Sequence, residues 1–129
     1  MRKIILFISF LAMLFADNLI EGRWHLVGYE DNVMYQFVDT ESFADAGYKY
    51  TIYSTDGNFD DLEGDNTGGT PHPYSIVDDV ITIDYHFGNL VSYYMNYSCD
   101  GQVIEFYDID YDVVSFILFR EFYDYNECE

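Results

Sequence analysis

The sequence predicts an all-β fold, an eight-stranded antiparallel up-and-down barrel. Hydrophobic residues make up 50% of the 129-residue chain and aromatic residues 20%. They fall into short runs rich in Tyr, Phe, Val, Ile and Thr that lack a helical period. Asp, Asn and Gly form mostly short connections between these runs, which favours antiparallel neighbours. Eight twisted strands can remove both free edges by closing into a barrel. An open two-layer sandwich is the alternative.

The first segment, residues 1–16, is predicted to be a secretory signal peptide. Arg2 and Lys3 form a basic start, and the apolar run 4–15 is shorter than the roughly 20 residues that a membrane-spanning helix needs. We therefore expect a secreted protein that has no stable membrane span after cleavage. The remaining chain, 17–129, has the length of one domain. The alternative is that the segment stays attached as an anchor.

Eight runs in the remaining chain are predicted to be strands. The fifth alternates most clearly, because Ile81, Ile83 and Tyr85 lie on one face while Thr82 and Asp84 lie on the other. The longest connection, between the third and fourth runs, is too long for a hairpin turn and is therefore a candidate contact site. The predicted strands are 20–29, 33–40, 47–55, 74–77, 80–87, 90–98, 102–107 and 113–122.

Closure of the barrel makes the two ends of the chain meet. In an up-and-down barrel the start of strand 1 lies beside the end of strand 8, which predicts a contact between Trp24 and Arg120. A guanidinium on an indole face contributes about 0.5–2 kcal/mol. The turn that carries Cys99 and the tail that carries Cys128 are expected at the same end of the barrel.

The motif Gly22-x-Trp24 on the first strand, eight meandering strands and Arg120 late in the last strand resemble the lipocalin (calycin) superfamily. The resemblance implies that Gly22, Trp24 and Arg120 close one end of the barrel. It also implies that a ligand enters the interior from the opposite end. The chain is shorter than a typical lipocalin and lacks the long first loop. Avidins share the small eight-stranded barrel and are a second analogue.

Two cysteines, Cys99 and Cys128, predict one disulfide bond formed in an oxidising compartment. The alternative is two free or intermolecular thiols. Asn96 begins an Asn-Tyr-Ser sequence, which is a glycosylation acceptor if the source cell is eukaryotic. Both features agree with secretion.

The charge is strongly negative. The chain has 24 acidic residues and a net charge of −19, and beyond the predicted signal peptide its only basic residues are Arg23, Lys49 and Arg120. Such a surface repels nucleic acid and anionic lipid, so we expect no nucleic-acid partner. It favours cations, amines or basic proteins. Solubility or a saline habitat would explain the same composition.

The predicted ligand is a small hydrophobic or amphipathic molecule, including a cationic one. Acidic segments at 30–31, 56–65 and 108–112 are expected to form the rim of the open end, above an aromatic interior. The alternative is that side chains fill the bore, since eight strands leave little other room. The predicted lining residues are Tyr35, Phe37, Tyr50, Ile83, Tyr85, Tyr93, Phe106 and Phe116.

No pattern in the sequence indicates catalysis or a cofactor. The histidines lack metal-ligand spacing, and the chain contains no H-E-x-x-H or G-x-S-x-G motif. Asp56, Asn58 and Asp60 have the spacing that starts a calcium loop, but Asp61 stands where that loop needs Gly, so a solvated acidic loop is expected and calcium in a non-standard loop is the alternative. We therefore expect no enzyme activity, no catalytic residue, no metal and no cofactor. The alternative function is an extracellular interaction or assembly protein with a filled barrel, acting on a protein partner through its acidic 56–73 loop. Fourteen tyrosines are compatible with a contact surface.

Overall fold

The computed structural model describes residues 19–40, 43–64 and 69–128, and the predicted signal peptide lies outside them. Eight antiparallel strands close into a barrel in sequence order, and the first strand pairs with the last. The predicted up-and-down barrel is confirmed, and the sandwich alternative is wrong. Within the described ranges, no helix is long and apolar enough to cross a membrane. The strands are β1 (Gly22–Leu26), β2 (Val33–Thr40), β3 (Phe43–Tyr53), β4 (His72–Val77), β5 (Val80–Asp84), β6 (Leu90–Ser98), β7 (Val103–Asp108) and β8 (Val113–Arg120).

Alternation and turn chemistry together set the register of the sheet. On β5, Ile81 and Ile83 are buried while the residues between and beside them are half-buried. The preceding turn places Asp78 and Asp79 at φ angles of 51° and 67°. Two successive residues with positive φ form a type I′ turn, whose twist matches that of the two strands it joins. Asp tolerates this conformation. The β4–β5 hairpin therefore presents its isoleucines to the interior.

Several strands end earlier than the alternation predicts, because the backbone turns where the apolar pattern continues. β1 stops before Gly28, which has a φ of 92°, and β8 stops before Phe122, which has a φ of 72°. β5 stops before Phe87, whose φ is 51° and whose side chain is fully exposed. Apolar residues in these turns extended the predicted strands beyond the true ends of pairing.

The predicted disulfide is confirmed between Cys99 and Cys128. It joins the β6–β7 turn to the C-terminal tail, across a sequence separation of 29 residues. The tail ends in a single 3₁₀ turn, Tyr125–Glu127, and the ring of Tyr125 stacks on that of Phe119 at a centroid distance of 5.2 Å. The bond and the ring contact together hold the tail against β8.

The outer wall of the barrel carries the predicted glycosylation acceptor. Asn96 lies on β6 with an exposed side chain, and its Nδ2 donates a hydrogen bond to Oε1 of Glu105 at 3.0 Å. The acceptor nitrogen therefore faces outward, and glycosylation at this residue stays a prediction.

Replacing Gly22 with alanine is expected to destabilise the barrel by about 1–3 kcal/mol. Gly22 has a φ of 121°, and a Cβ at this position would lie 2.7 Å from Nη1 of Arg120. The free energy of unfolding in urea measures the effect. Gly28→Ala is the matched control, because Gly28 has a φ of 92° but nothing within 4 Å of its Cβ position. Equal losses in the two variants would mean that the contact with Arg120 is irrelevant.

Candidate functional site

One end of the barrel is closed by Trp24, whose side chain is completely buried. Its Nε1 donates a hydrogen bond to the carbonyl of Ile20 at 2.8 Å. The guanidinium carbon of Arg120 lies 4.1 Å from the centre of the indole. The same guanidinium donates to the carbonyl of Glu21 at 2.5 Å and to that of Leu19. Trp24 and Arg120 thus bind the chain's own N-terminal segment.

Seven of the eight predicted lining residues belong to the interior cluster or pack against it: Tyr35, Phe37, Ile83, Tyr85, Tyr93, Phe106 and Phe116. The deeper side chains of this set pack mainly against one another. Phe106 stacks on Phe116 at a centroid distance of 4.5 Å and contacts Phe37 at 6.5 Å. Phe37, Ile83 and Phe106 are almost fully buried. These side chains fill the middle of the bore, whereas Tyr35 and Tyr85 are partly buried.

The prediction that Tyr50 lines the interior is wrong. Tyr50 pairs with Gln36, and Gln36 faces outward, where its amide oxygen accepts a hydrogen bond from the backbone N–H of Gly64. A Cβ on Gly64 would clash with the Tyr50 ring, so the ring and this loop are in contact. Tyr50 therefore supports the loop on the outside of the barrel.

Residues 54–64, the first part of the acidic loop, fold over the outer wall of the barrel, whereas residues 65–68 lie outside the described residues. Phe59 is buried in a separate apolar cluster with Met34 and Ile52. The guanidinium of Arg23 donates hydrogen bonds to the carbonyls of Phe59 and Leu62, at 2.6 and 2.5 Å. We call residues 54–64 the flap. It covers an apolar patch on β2 and β3 that would otherwise be exposed.

Carboxylates in two other loops accept hydrogen bonds from the backbone of their own turns. Oδ1 of Asp108 accepts backbone hydrogen bonds from Asp110 at 2.9 Å and from Tyr111 at 3.2 Å. Oε1 of Glu30 accepts one from the N–H of Gly28 at 3.0 Å, and that bond lowers the pKa of Glu30. These side chains stabilise turns, so the predicted acidic rim is largely a set of structural contacts.

The sequence reasoning missed the most unusual interior residue, Lys49. Its side chain is 3% exposed, and its Nζ lies 3.8 Å from the centroid of the Tyr35 ring and 5.6 Å from that of Tyr85. Nζ donates a hydrogen bond to Oγ1 of Thr51 at 3.3 Å. Among the residues that the structure describes, no carboxylate forms an ion pair with Lys49. Burial lowers the pKa of Lys49 to about 8, because the charged form loses its hydration.

The alternation along β3 separates Lys49 from its neighbours but does not show which face of the strand is inside the barrel. Gly47, Lys49 and Thr51 share one face, and Tyr48, Tyr50 and Ile52 share the other. Tyr48, Tyr50 and Ile52 are the more apolar set, and placing them in the interior puts Lys49 outside. In the structure Lys49 faces the interior instead, and Ile52 faces outward, where the flap covers it. The useful signal was a single lysine between two tyrosines in a chain with almost no other basic residues.

Lys49 lies towards the end of the barrel opposite Trp24. Its cross-strand partner is His72, the first residue of β4. The ring of His72 lies 5.3 Å from that of Tyr85 and 5.4 Å from that of His86. Burial lowers the pKa of His72, and the charge of Lys49 lowers it further. A cleft of about 230 Å³ is lined by Thr51, Tyr53, Gly69, Thr70, His72 and His86.

A second cleft of about 200 Å³ shares Thr70, His72 and His86 with the first. Pro71, Tyr85 and Phe87 add apolar surface to it, and Asp84 adds a carboxylate. We call the two clefts together the mouth groove. It combines exposed aromatic surface with a buried amine beneath it, an arrangement that suits a small molecule with one polar group.

No group of three or more potential metal ligands lies together within ranges 19–40, 43–64 and 69–128. The loop side chains that resemble the start of a calcium loop bind backbone instead. Oδ1 of Asp56 accepts a hydrogen bond from the N–H of Asn58, and Oδ1 of Asn58 accepts one from the N–H of Asp60, both at 3.0 Å. These hydrogen bonds stabilise the turns at the start of the flap.

A comparison of the chain with protein-family models, with curated proteins and with solved structures finds no match. The lipocalin-like description therefore depends on the closed eight-stranded topology and on the contact between Trp24 and Arg120.

Proposed function

We propose that this chain is a secreted, lipocalin-like protein that binds a small amphipathic molecule in the mouth groove and does not catalyse a reaction on it. The observation that carries the proposal is the buried ammonium of Lys49, which lies over the Tyr35 ring and has no carboxylate partner among the described residues. Its neighbours Thr51 and His72 line a cleft. Burying an ionised amine is unfavourable unless a partner compensates for the lost hydration. A ligand group that accepts a hydrogen bond would supply that partner.

The chemistry of the groove defines the ligand class. The polar head, a hydroxyl, carbonyl or carboxylate oxygen, would reach Lys49 past Thr51. The apolar part would lie against Tyr85, Pro71 and Phe87, which line the second cleft. The two clefts are each smaller than the roughly 300–1,000 Å³ of drug-sized sites, so the ligand is small.

The proposal narrows the ligand class predicted from the sequence. The sequence prediction included a cationic ligand because acidic loops were expected at the entrance. The flap lies instead over the outer wall, and Asp108 and Glu30 accept hydrogen bonds within their own turns. Lys49 repels a second cation in the interior. We therefore propose a neutral or anionic hydrogen-bond acceptor as the head group.

Matched eight-carbon compounds test this proposal. 1-Octanol, octanoate and octylamine share one apolar chain and differ in the head group, and isothermal titration calorimetry gives the Kd of each. We expect saturable binding of octanol and octanoate and weaker binding of octylamine. A hydrogen bond to a charged group contributes about 1.5–3 kcal/mol, so Lys49→Met should weaken octanoate binding by about tenfold or more.

Tyr48→Phe is the control variant for the titration, since Tyr48 neighbours Lys49 on β3 but points outward and is 42% exposed. It should leave all three Kd values unchanged. Tightest binding of octylamine would contradict the proposed head group. Absence of saturable binding for all three compounds would reject the groove and leave a protein partner as the alternative function.

A further inference from the structure

We propose that Lys49 forms a reversible imine with an apolar aldehyde that occupies the mouth groove. This inference depends on the proposed function, and it names the chemical class of the ligand and the atom that holds it. It treats the buried amine as a nucleophile in addition to a hydrogen-bond donor.

The surroundings of Nζ favour the reactive, neutral amine. A lysine beside a carboxylate is held in the ammonium form. Among the described residues, Nζ of Lys49 contacts the rings of Tyr35 and Tyr85 and the hydroxyl of Thr51, and its charge acts on the nearby His72. With a pKa of about 8, roughly a tenth of the side chain is neutral at pH 7. An ordinary lysine with a pKa of about 10.4 would be neutral in less than about a thousandth of molecules. Desolvation in an apolar pocket is a known way to activate a lysine for imine formation.

The charge of the chain favours an aldehyde over a carboxylate. A net charge of −19 repels an approaching anion, whereas an aldehyde is neutral. A carboxylate would lose its hydration in the bore, and a carbonyl loses much less. In its neutral form the imine also removes the buried charge of Lys49. The free-energy cost of burying the ammonium therefore favours the imine over the free lysine.

The reaction needs no co-reactant. The lone pair of neutral Nζ attacks the carbonyl carbon and forms a C–N bond, while the carbonyl π pair moves to oxygen, which takes up the proton that nitrogen loses. The resulting carbinolamine expels its protonated hydroxyl as water, and nitrogen loses its second proton as the C=N bond forms. One amine and one aldehyde give one imine and one water, with no oxidation or reduction.

Tyrosine hydroxyls at the site can exchange these protons. Burial raises the pKa of Tyr35 and of Tyr85, so both hydroxyls stay protonated at neutral pH and can act as donors. The proximity of Tyr93 also raises the pKa of Tyr85.

Octanal with sodium borohydride tests the inference, because borohydride converts an imine into a stable secondary amine. The full chain contains two lysines, Lys3 and Lys49, so peptide mapping by mass spectrometry assigns an adduct to one of three amines. The α-amino group has an ordinary pKa of about 7.7–8.0, close to that of Lys49, and serves as the internal reference. We expect the Lys49 adduct to exceed the α-amino adduct by about tenfold or more, because the groove holds the aldehyde beside Nζ.

Three further measurements distinguish the outcomes. Octanol should compete and reduce trapping at Lys49 without affecting the α-amino group, Tyr48→Phe should label as the unaltered chain does, and unfolding in urea should abolish the preference. Saturable octanol binding with equal labelling of Lys49 and the α-amino group would overturn the imine and leave the proposed function intact. Equal labelling together with no octanol binding would overturn both.

Discussion

Trp24→Ala is expected to lower the free energy of unfolding by about 3–5 kcal/mol. The indole is completely buried, and Ile20 and Arg120 contact it from opposite parts of the chain. Its removal leaves a cavity at the closed end of the barrel. A domain of this size has only about 5–15 kcal/mol in total, so a large part of the stability would be lost. Trp24 is the only tryptophan, so urea unfolding must be followed by far-ultraviolet circular dichroism.

A double-mutant cycle separates the stacking from the loss of volume. Arg120→Met removes the guanidinium, and the coupling energy between it and Trp24→Ala should be about 0.5–2 kcal/mol, the range for a cation over an aromatic ring. Trp24→Phe keeps a ring under Arg120 but loses the Nε1 hydrogen bond to Ile20, so it should be milder than Trp24→Ala. A loss below about 1 kcal/mol for Trp24→Ala would contradict the assignment of Trp24 to barrel closure.

Lys49→Met is expected to stabilise the protein by about 2–3 kcal/mol at pH 7. The folded-state pKa of about 8 lies below the ordinary value of 10.5, so the folded chain binds its proton more weakly than the unfolded chain does. Below pH 8 both states are charged, and the folded state carries the full burial penalty. Methionine has a similar length and no charge, and it fits against the rings of Tyr35 and Tyr85. Urea unfolding at pH 7 measures the difference.

The same shift makes the stability of the unaltered chain depend on pH. Between pH 8 and about 10.5 the unfolded state binds more protons at residue 49 than the folded state, so this contribution to stability rises with pH. Burial raises the pKa of Tyr97 to about 12 and also raises that of Tyr85, so stability falls again once unfolded tyrosines ionise near pH 10. The rise should therefore appear between pH 7 and 9.5 and be absent in Lys49→Met. A flat profile in the unaltered chain, or a less stable Lys49→Met, would contradict the buried ammonium.

Local patterns in the chain were sufficient for the barrel and for its closed end. Period-two alternation and short Asp-, Asn- and Gly-containing turns define eight strands and their antiparallel order. Closure then follows from the need to remove free edges. It also places Trp24 beside Arg120 and makes the bond between Cys99 and Cys128 feasible. These features depend on residues that are neighbours along the chain or on the closed topology of the barrel.

The candidate site around Lys49 could not be predicted from local sequence patterns. Alternation along β3 separates Lys49 from Tyr50, but it does not say which of them is inside when both faces of the strand are covered. The flap determines which face of β3 is inside. Phe59 covers Met34 and Ile52 on the outer wall, and Lys49 faces the bore. The sequence by itself determined the ring of strands and the pair of residues that closes it. Only the tertiary structure decided that the barrel encloses a charged amine. The reason is that the flap covers apolar residues on the outer wall, and this contact joins residues that are far apart in the chain.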